Sequence, residues 1–132
     1  MGERRVRILM ARFGEGYESA TMRLASTFRD AGFEVIYTEL QDPEAIVASA
    51  IQESVDHIGV TTLPGANLEM FGKISELFAK EECSYIHMTA GGILADEDVP
   101  KIKKMGVVEF FPQGTTYEGL IQWAKENIKP TQ

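Results

Sequence analysis

Short apolar runs alternate with longer amphipathic stretches along this chain. Val6 to Ala11 is mostly apolar and predicts a strand. Tyr17 to Ala31 follows the helical period and sets Met22, Leu24, Ala25 and Phe28 on one side. Gly32 ends that helix, since glycine takes the left-handed conformation there. Phe33 to Thr38 predicts the second strand. Asp42-Pro43-Glu44 reads as a helix start, with an N-cap and a proline at the first position. Ala45, Ile46, Ala48, Ser49, Ile51 and Gln52 continue it, and His57 to Thr62 predicts the third strand. A loop from Leu63 to the cap-competent Asn67 leads to a helical stripe of Leu68, Phe71, Ile74, Leu77 and Phe78. Ser84 to Thr89 predicts the fourth strand, ending in Ala90-Gly91-Gly92. A short helix over Asp96 to Met105 stops at Gly106, and Val107 to Phe111 predicts the fifth strand. Thr115 to Ile128 predicts the last helix, with Leu120, Ile121, Ala124 and Ile128 inward.

Five strands therefore alternate with five helices. Strands this short and rich in Val and Ile suit a sheet covered on both faces. Alternation implies an α/β fold with parallel strands and right-handed crossovers. The expectation is a flavodoxin-like (Rossmann-like) doubly wound sheet, order 2-1-3-4-5, in one domain over residues 1–132. Ligands in such sheets bind beyond the carboxyl ends of the strands, where the order reverses. That rule selects Arg12 to Ser19, Thr61 to Asn67, Ala90 to Ala95, and Gln113 to Thr116.

Composition narrows the partners. The 132 residues are 44% hydrophobic and 25% charged, as in ordinary globular domains. The net charge of −7 disfavours nucleic acid, whose binding runs on phosphate neutralisation by cations. It equally disfavours an anionic membrane surface. No apolar run approaches the roughly 18 residues of a membrane helix. The N-terminus, Met1-Gly2-Glu3-Arg4-Arg5, lacks the apolar stretch of a signal peptide. A single cysteine, Cys83, permits no internal disulfide and no cysteine-based zinc site. A cytoplasmic setting is expected.

Generic readings of such folds fail at the loops. A phosphorelay receiver needs a carboxylate cluster at the strand ends, but the third strand ends in Thr61-Thr62-Leu63. No Gly-Lys-Ser/Thr run marks a P-loop. Gly14-Glu15-Gly16-Tyr17-Glu18-Ser19-Ala20 approaches a dinucleotide fingerprint, with Glu39 about 20 residues on. Its third small position is Ser19, and Glu15 and Glu18 would repel a pyrophosphate; a plain strand-to-helix turn explains the glycines better.

Together, these loops resemble the cobalamin-binding domain, or small subunit, of the methylmalonyl-CoA mutase family. The likeness runs from about Arg5 to Ile128. The family signature is D-x-H-x-x-G after the first strand, S-x-L after the third and G-G after the fourth. Thr61-Thr62-Leu63 stands at S-x-L and Gly91-Gly92 at G-G, with fitting spacings. Asp30-Ala31-Gly32-Phe33-Glu34-Val35, Ile93 to Met105 and Gly106 to Thr116 also read like the family. The first motif departs: Glu15-Gly16-Tyr17-Glu18-Ser19-Ala20 stands in its place, in a loop about one residue short.

The resemblance implies a cobalamin site at Glu15, Gly16, Tyr17, Thr61, Thr62, Leu63, Gly91 and Gly92. In the family the histidine becomes the lower axial ligand of cobalt, and the aspartate orients it. Here Tyr17 holds that position, and a phenol, with a pKa of about 10, ligates cobalt poorly near neutral pH. His57 begins the third strand, at the opposite end from the loops, and His87 falls mid-strand in the fourth. Both suit structural hydrogen bonding, as Cys83 lies at the wrong end and Met10, Met22, Met70, Met88 and Met105 suit packing. No replacement metal ligand and no catalytic residue emerge.

Three functions stay open. The chain could carry cobalamin for an acyl-CoA mutase, an isomerase making a radical 1,2-rearrangement in a separate barrel subunit. It could be a degenerate paralogue without cofactor, a structural or regulatory partner. It could hold another small ligand. The expected partner is a mutase barrel subunit or a second copy of this chain.

Overall fold

The computed structural model describes residues 4–131. Strands β1 (Arg7–Phe13), β2 (Glu34–Tyr37), β3 (His57–Thr62), β4 (His87–Gly92) and β5 (Val107–Pro112) form one sheet. Helices α1 (Glu18–Asp30), α2 (Pro43–Gln52), α3 (Glu69–Lys80), α4 (Val99–Lys104) and α5 (Tyr117–Asn127) connect and follow them. The strand order is β2-β1-β3-β4-β5 and every pairing is parallel, as the alternation implied. The reading of the N-terminus as no signal peptide rests largely on Met1 to Glu3, outside the described residues.

Side chains alternate across each strand and build two separate cores. Leu9, Ala11 and Phe13 of β1 join Ile58, Val60, Met88 and Val107 beneath α2, α3 and α4. Ile8 and Met10 point the other way, with Phe28 of α1, Ala124 of α5 and Ile128 just after it. On this second face, β3 and β4 offer little bulk. The register aligns Gly59 with Thr89 and Thr61 with Gly91, so the sheet's centre carries two glycines and two threonines. A shallow floor beneath two helices leaves space.

Most element boundaries shift by a residue or two from the pattern, and three differences shape the loops. β1 runs on to Phe13 because it keeps pairing with β3, Phe13 opposite Thr62. β4 starts at His87 and takes in Gly91 and Gly92, which pair with Thr61 and Thr62 on one side and Phe111 and Pro112 on the other. The stretch after it splits into a 3-10 turn, Asp96–Asp98, and the short α4, where proline occupies the first turn. Met22 is also exposed on α1, whose buried stripe is Thr21, Ala25 and Phe28. Reading Met22 as core set the helix phase one position too wide.

The two ends of the described chain meet at one carboxylate. Asp56 accepts from Arg4 Nη1 at 2.8 Å and Arg4 Nη2 at 2.5 Å. It also accepts from Arg7 N–H at 2.8 Å and from the Thr131 N–H and hydroxyl at 2.8 and 2.9 Å. Burial pushes the carboxyl up, yet these donors together outweigh it and hold its pKa well below the carboxylate range.

Candidate functional site

The loop after β1 is a tight, pinned turn. Gly14 and Gly16 have φ of +101° and +95°, and Tyr17, the residue before α1, is left-handed at φ 57°. A Cβ on Gly14 would lie 2.5 Å from the Leu63 carbonyl oxygen, so only glycine lets the two loops touch. Leu63 N–H donates to Phe13 O at 2.8 Å, and Glu15 N–H to Pro64 O at 3.1 Å. Arg12, at the end of β1, reaches over the turn. Its Nη1 donates to Gly16 O at 2.6 Å and its Nη2 to Glu18 Oε1 at 3.2 Å, while its buried Nε has no partner.

Gly92 closes the fourth-strand motif in the same manner. Its φ is +120°, and a Cβ there would meet Thr62 O at 2.6 Å. A Cβ on Gly91 would meet Phe111 O at 3.0 Å. These glycines let β3, β4 and β5 end side by side without a side chain crowding the mouth of the fold.

Beneath these loops runs a cavity of about 270 Å³ between the sheet and helices α1 and α5. Thr61, Leu63, Gly91, Gly92 and Ile93 line its outer part, with Tyr17 of α1's start and Tyr117 of α5. Gly59 forms the floor: a Cβ there would touch only Ile8 Cγ2 and Thr89 Oγ1, both at 3.9 Å. Phe28, Trp123, Ile128, Thr89 and His57 line the inner part. His57 is 3% exposed, and its Nε2 lies 2.9 Å from Thr89 Oγ1. Burial, and then the neighbouring His87, push its pKa down to about 3, with Asp56 opposing weakly, so the ring is neutral.

The structure thus brings together Tyr17, Thr61, Leu63, Gly91 and Gly92 of the expected site. Thr62 faces the other side of the sheet, fully buried, and donates to Gly91 O at 3.2 Å. Glu15 is exposed and Gly16 sits under Arg12; neither lines the cavity. Tyr17 stays at the rim, 53% exposed, and leaves the interior open. His57 does begin β3, as expected, but the cavity extends down to it. His87 starts β4 and is exposed, since β4 begins three residues later than the pattern suggested. Gly59 and Thr89 were not singled out in the sequence, although a lone glycine inside a buried strand signals close approach or space.

Among the described residues no group of three or more His, Cys, Asp or Glu side chains could hold a metal ion. Those residues also contain no helix long and apolar enough to cross a membrane.

A family model, the B12 binding domain, matches residues 7–121. The chain belongs to the B12-binding domain family. The match spans β1 to the first part of α5 and so includes the strand and loop walls of the cavity and its α1 wall. Among its relatives, the chain is 38% identical to the 2-hydroxyisobutanoyl-CoA mutase small subunit of Aquincola tertiaricarbonis. That likeness covers 92% of this chain and 90% of the relative. It is 29% identical to the pivalyl-CoA mutase small subunit of Xanthobacter autotrophicus, over 92% of this chain and 82% of that one. It is 32% identical to the methylmalonyl-CoA mutase large subunit of Propionibacterium freudenreichii, over 85% of this chain but 16% of that protein. This B12-binding domain is therefore homologous to small subunits of acyl-CoA mutases.

Solved structures agree on the fold. A cobalamin-binding protein from Desulfitobacterium hafniense superposes with a TM-score of 0.75 at 16% identity, covering 92% of this chain and 58% of that one. A chemotaxis protein of Vibrio cholerae does so at 0.71 and 16%, covering 92% and 98%. Likeness at this identity is a likeness of fold alone.

Proposed function

We propose that this chain is the cobalamin-carrying small subunit of an acyl-CoA mutase whose larger barrel subunit holds the substrate. The observation that carries this reading is the preformed cavity lying directly beneath the third- and fourth-strand motifs. At about 270 Å³ it falls near the lower bound of small-molecule sites, roughly 300 to 1,000 Å³, and so suits one arm of a large ligand. Thr61, Leu63, Gly91 and Gly92 would hold the nucleotide arm, while helices α1 and α5 cover it. The corrin would rest outside, on the loops beside Tyr17 and Gly92.

Bound cobalamin would supply the radical 1,2-rearrangement chemistry. The residues of this chain bind and orient, and none acts on the acyl-CoA. At the family's ligand position Tyr17 would present a phenol where an imidazole would serve. The small-subunit relatives, matched over nearly their whole length, support a separate catalytic partner. The lone cysteine supports a cytoplasmic setting.

A cofactor-free paralogue has the missing histidine in its favour. The open cavity speaks against it, since Tyr17 does not fill the space. The test is a visible-spectrum titration of cobalamin with the purified chain, backed by equilibrium dialysis. Binding without a histidine-ligated spectrum is expected. No binding at concentrations on the order of tens of micromolar would sink the carrier reading.

A further inference from the structure

The segment after α5 separates two empty spaces. A groove of about 240 Å³ lies at the end of the sheet opposite the loops, with Arg4, Val6, Phe33, Lys125 and Pro130 in its walls. Ile128 lines that groove and also the cavity above it, and is the only described residue common to both. Helix α5 stops at Asn127, and Ile128 leaves it in extended backbone, at φ −101° and ψ 121°. The Ile128 N–H still donates to Ala124 O at 2.9 Å. Beyond it, Lys129, Pro130 and Thr131 make no backbone–backbone hydrogen bond among the described residues. What holds the segment down is Asp56, whose Oδ1 accepts from the Thr131 N–H and hydroxyl at 2.8 and 2.9 Å. That carboxylate is itself fixed by Arg4 and by the Arg7 N–H of β1. Asp56 directly precedes His57, which lines the cavity's inner end.

We propose that Ile128 to Thr131 form a latched strap, in which Ile128 plugs the inner end of the cavity and Asp56 is the catch that holds the plug in place. Released at Thr131, the strap swings about the Asn127–Ile128 junction, and cavity and groove join into one passage open at both ends of the sheet. The physical balance favours such an opening. Ordering four residues costs backbone entropy of the same order as two hydrogen bonds to a carboxylate and one buried isoleucine return. A segment held so narrowly opens locally, long before the fold as a whole. The catch is the stiffer partner, since it belongs to the start of β3, while the strap has no ladder bonds of its own. The strap acts whatever the cavity holds, and so stands apart from the carrier reading.

Thiol labelling of the full chain reads the opening. In a Cys83→Ser background, Ile128→Cys places a thiol that a reagent reaches when the strap lifts. Val47→Cys, in the core on the other face of the sheet, reports global unfolding. Position 128 is expected to label at least about a hundredfold faster than position 47, at a rate unchanged by low urea, because local opening exposes little surface. Adding Thr131→Pro, which removes both donors to Asp56, is expected to speed labelling at position 128 about tenfold to a hundredfold, the range for lost hydrogen bonds to a charged group. Position 47 is expected to label as before. Thr131→Ser keeps both donors and is expected to label as the parent does. Ile128→Ala keeps the catch and removes the plug. It is expected to raise acrylamide quenching of Trp123, the chain's only tryptophan and part of the cavity lining, by about twofold or more, since truncation leaves a space only partly refilled. Equal labelling at positions 128 and 47 overturns the proposal, as does labelling at 128 that Thr131→Pro leaves unchanged. Unaltered Trp123 quenching in Ile128→Ala also overturns it, because the side chain would then close nothing.

Discussion

Gln41 grips Gly14 by both of its backbone groups. Gly14 N–H donates to Gln41 Oε1 at 3.0 Å, and Gln41 Nε2 donates to Gly14 O at 3.0 Å. The loop after β2 thereby fixes the turn after β1. Each bond contributes about 0.5–1.5 kcal/mol net. Gln41→Ala is expected to lower unfolding stability by about 1–2 kcal/mol in urea titrations. It is also expected to raise amide exchange at Glu15 and Gly16. Unchanged exchange there would mean that Arg12 and Pro64 hold the turn without Gln41.

Gly59 keeps the cavity open, and a side chain there has room. The nearest atoms to a Cβ are at 3.9 Å, and its φ is not left-handed. Gly59→Val is expected to fold at least as stably as the wild type, gaining up to about 1 kcal/mol from added burial and a stiffer unfolded chain. Cobalamin affinity is expected to fall tenfold or more, because the valine occupies the space of the nucleotide arm. Thermal melts and dialysis on one preparation separate the two effects. A stable variant with undiminished affinity would place the cofactor elsewhere.

Two buried groups are expected to give the chain separate acid transitions. His57 has its folded pKa pushed down to about 3, against an ordinary value of about 6.5. Between these values the unfolded chain takes up a proton that the folded chain refuses, so stability falls as pH drops from about 6.5 toward 3. Asp56 has a depressed pKa too, and its contribution is full above the ordinary Asp value of about 3.9 and lost as pH falls below it. His57→Gln is expected to flatten the upper limb, with urea midpoints nearly constant from about pH 6.5 to 4.5. Asp56→Asn is expected to cost about 2–4 kcal/mol at neutral pH, since it breaks a fully buried carboxylate's network, and to flatten the lower limb. Identical acid limbs in wild type and both variants would refute the assignment.

Tyr17 stands at the rim in a left-handed conformation that histidine tolerates better than most residues. Tyr17→His is expected to keep the fold and to change the spectrum of bound cobalamin toward an imidazole-ligated form. Tyr17→Phe is expected to leave the spectrum as in wild type. If Tyr17→His binds with an unaltered spectrum, the shortened loop holds position 17 away from the corrin face.

The alternation of apolar runs and amphipathic stretches determined the fold class, the strand order and the loops that meet at the cavity. Those properties follow from local periodicity and chain connectivity, both written along the sequence. That Thr61, Leu63, Gly91 and Gly92 would meet at one place was also legible, because a spaced motif is a linear feature. The direction of Thr62 was not: it depended on β3 running as an unbroken strand to its end, which turns adjacent threonines to opposite faces. His57 was placed correctly at the start of β3, but only packing decided that the space above Gly59 reaches it. A cavity is a property of what several elements fail to fill together, and no single segment records it.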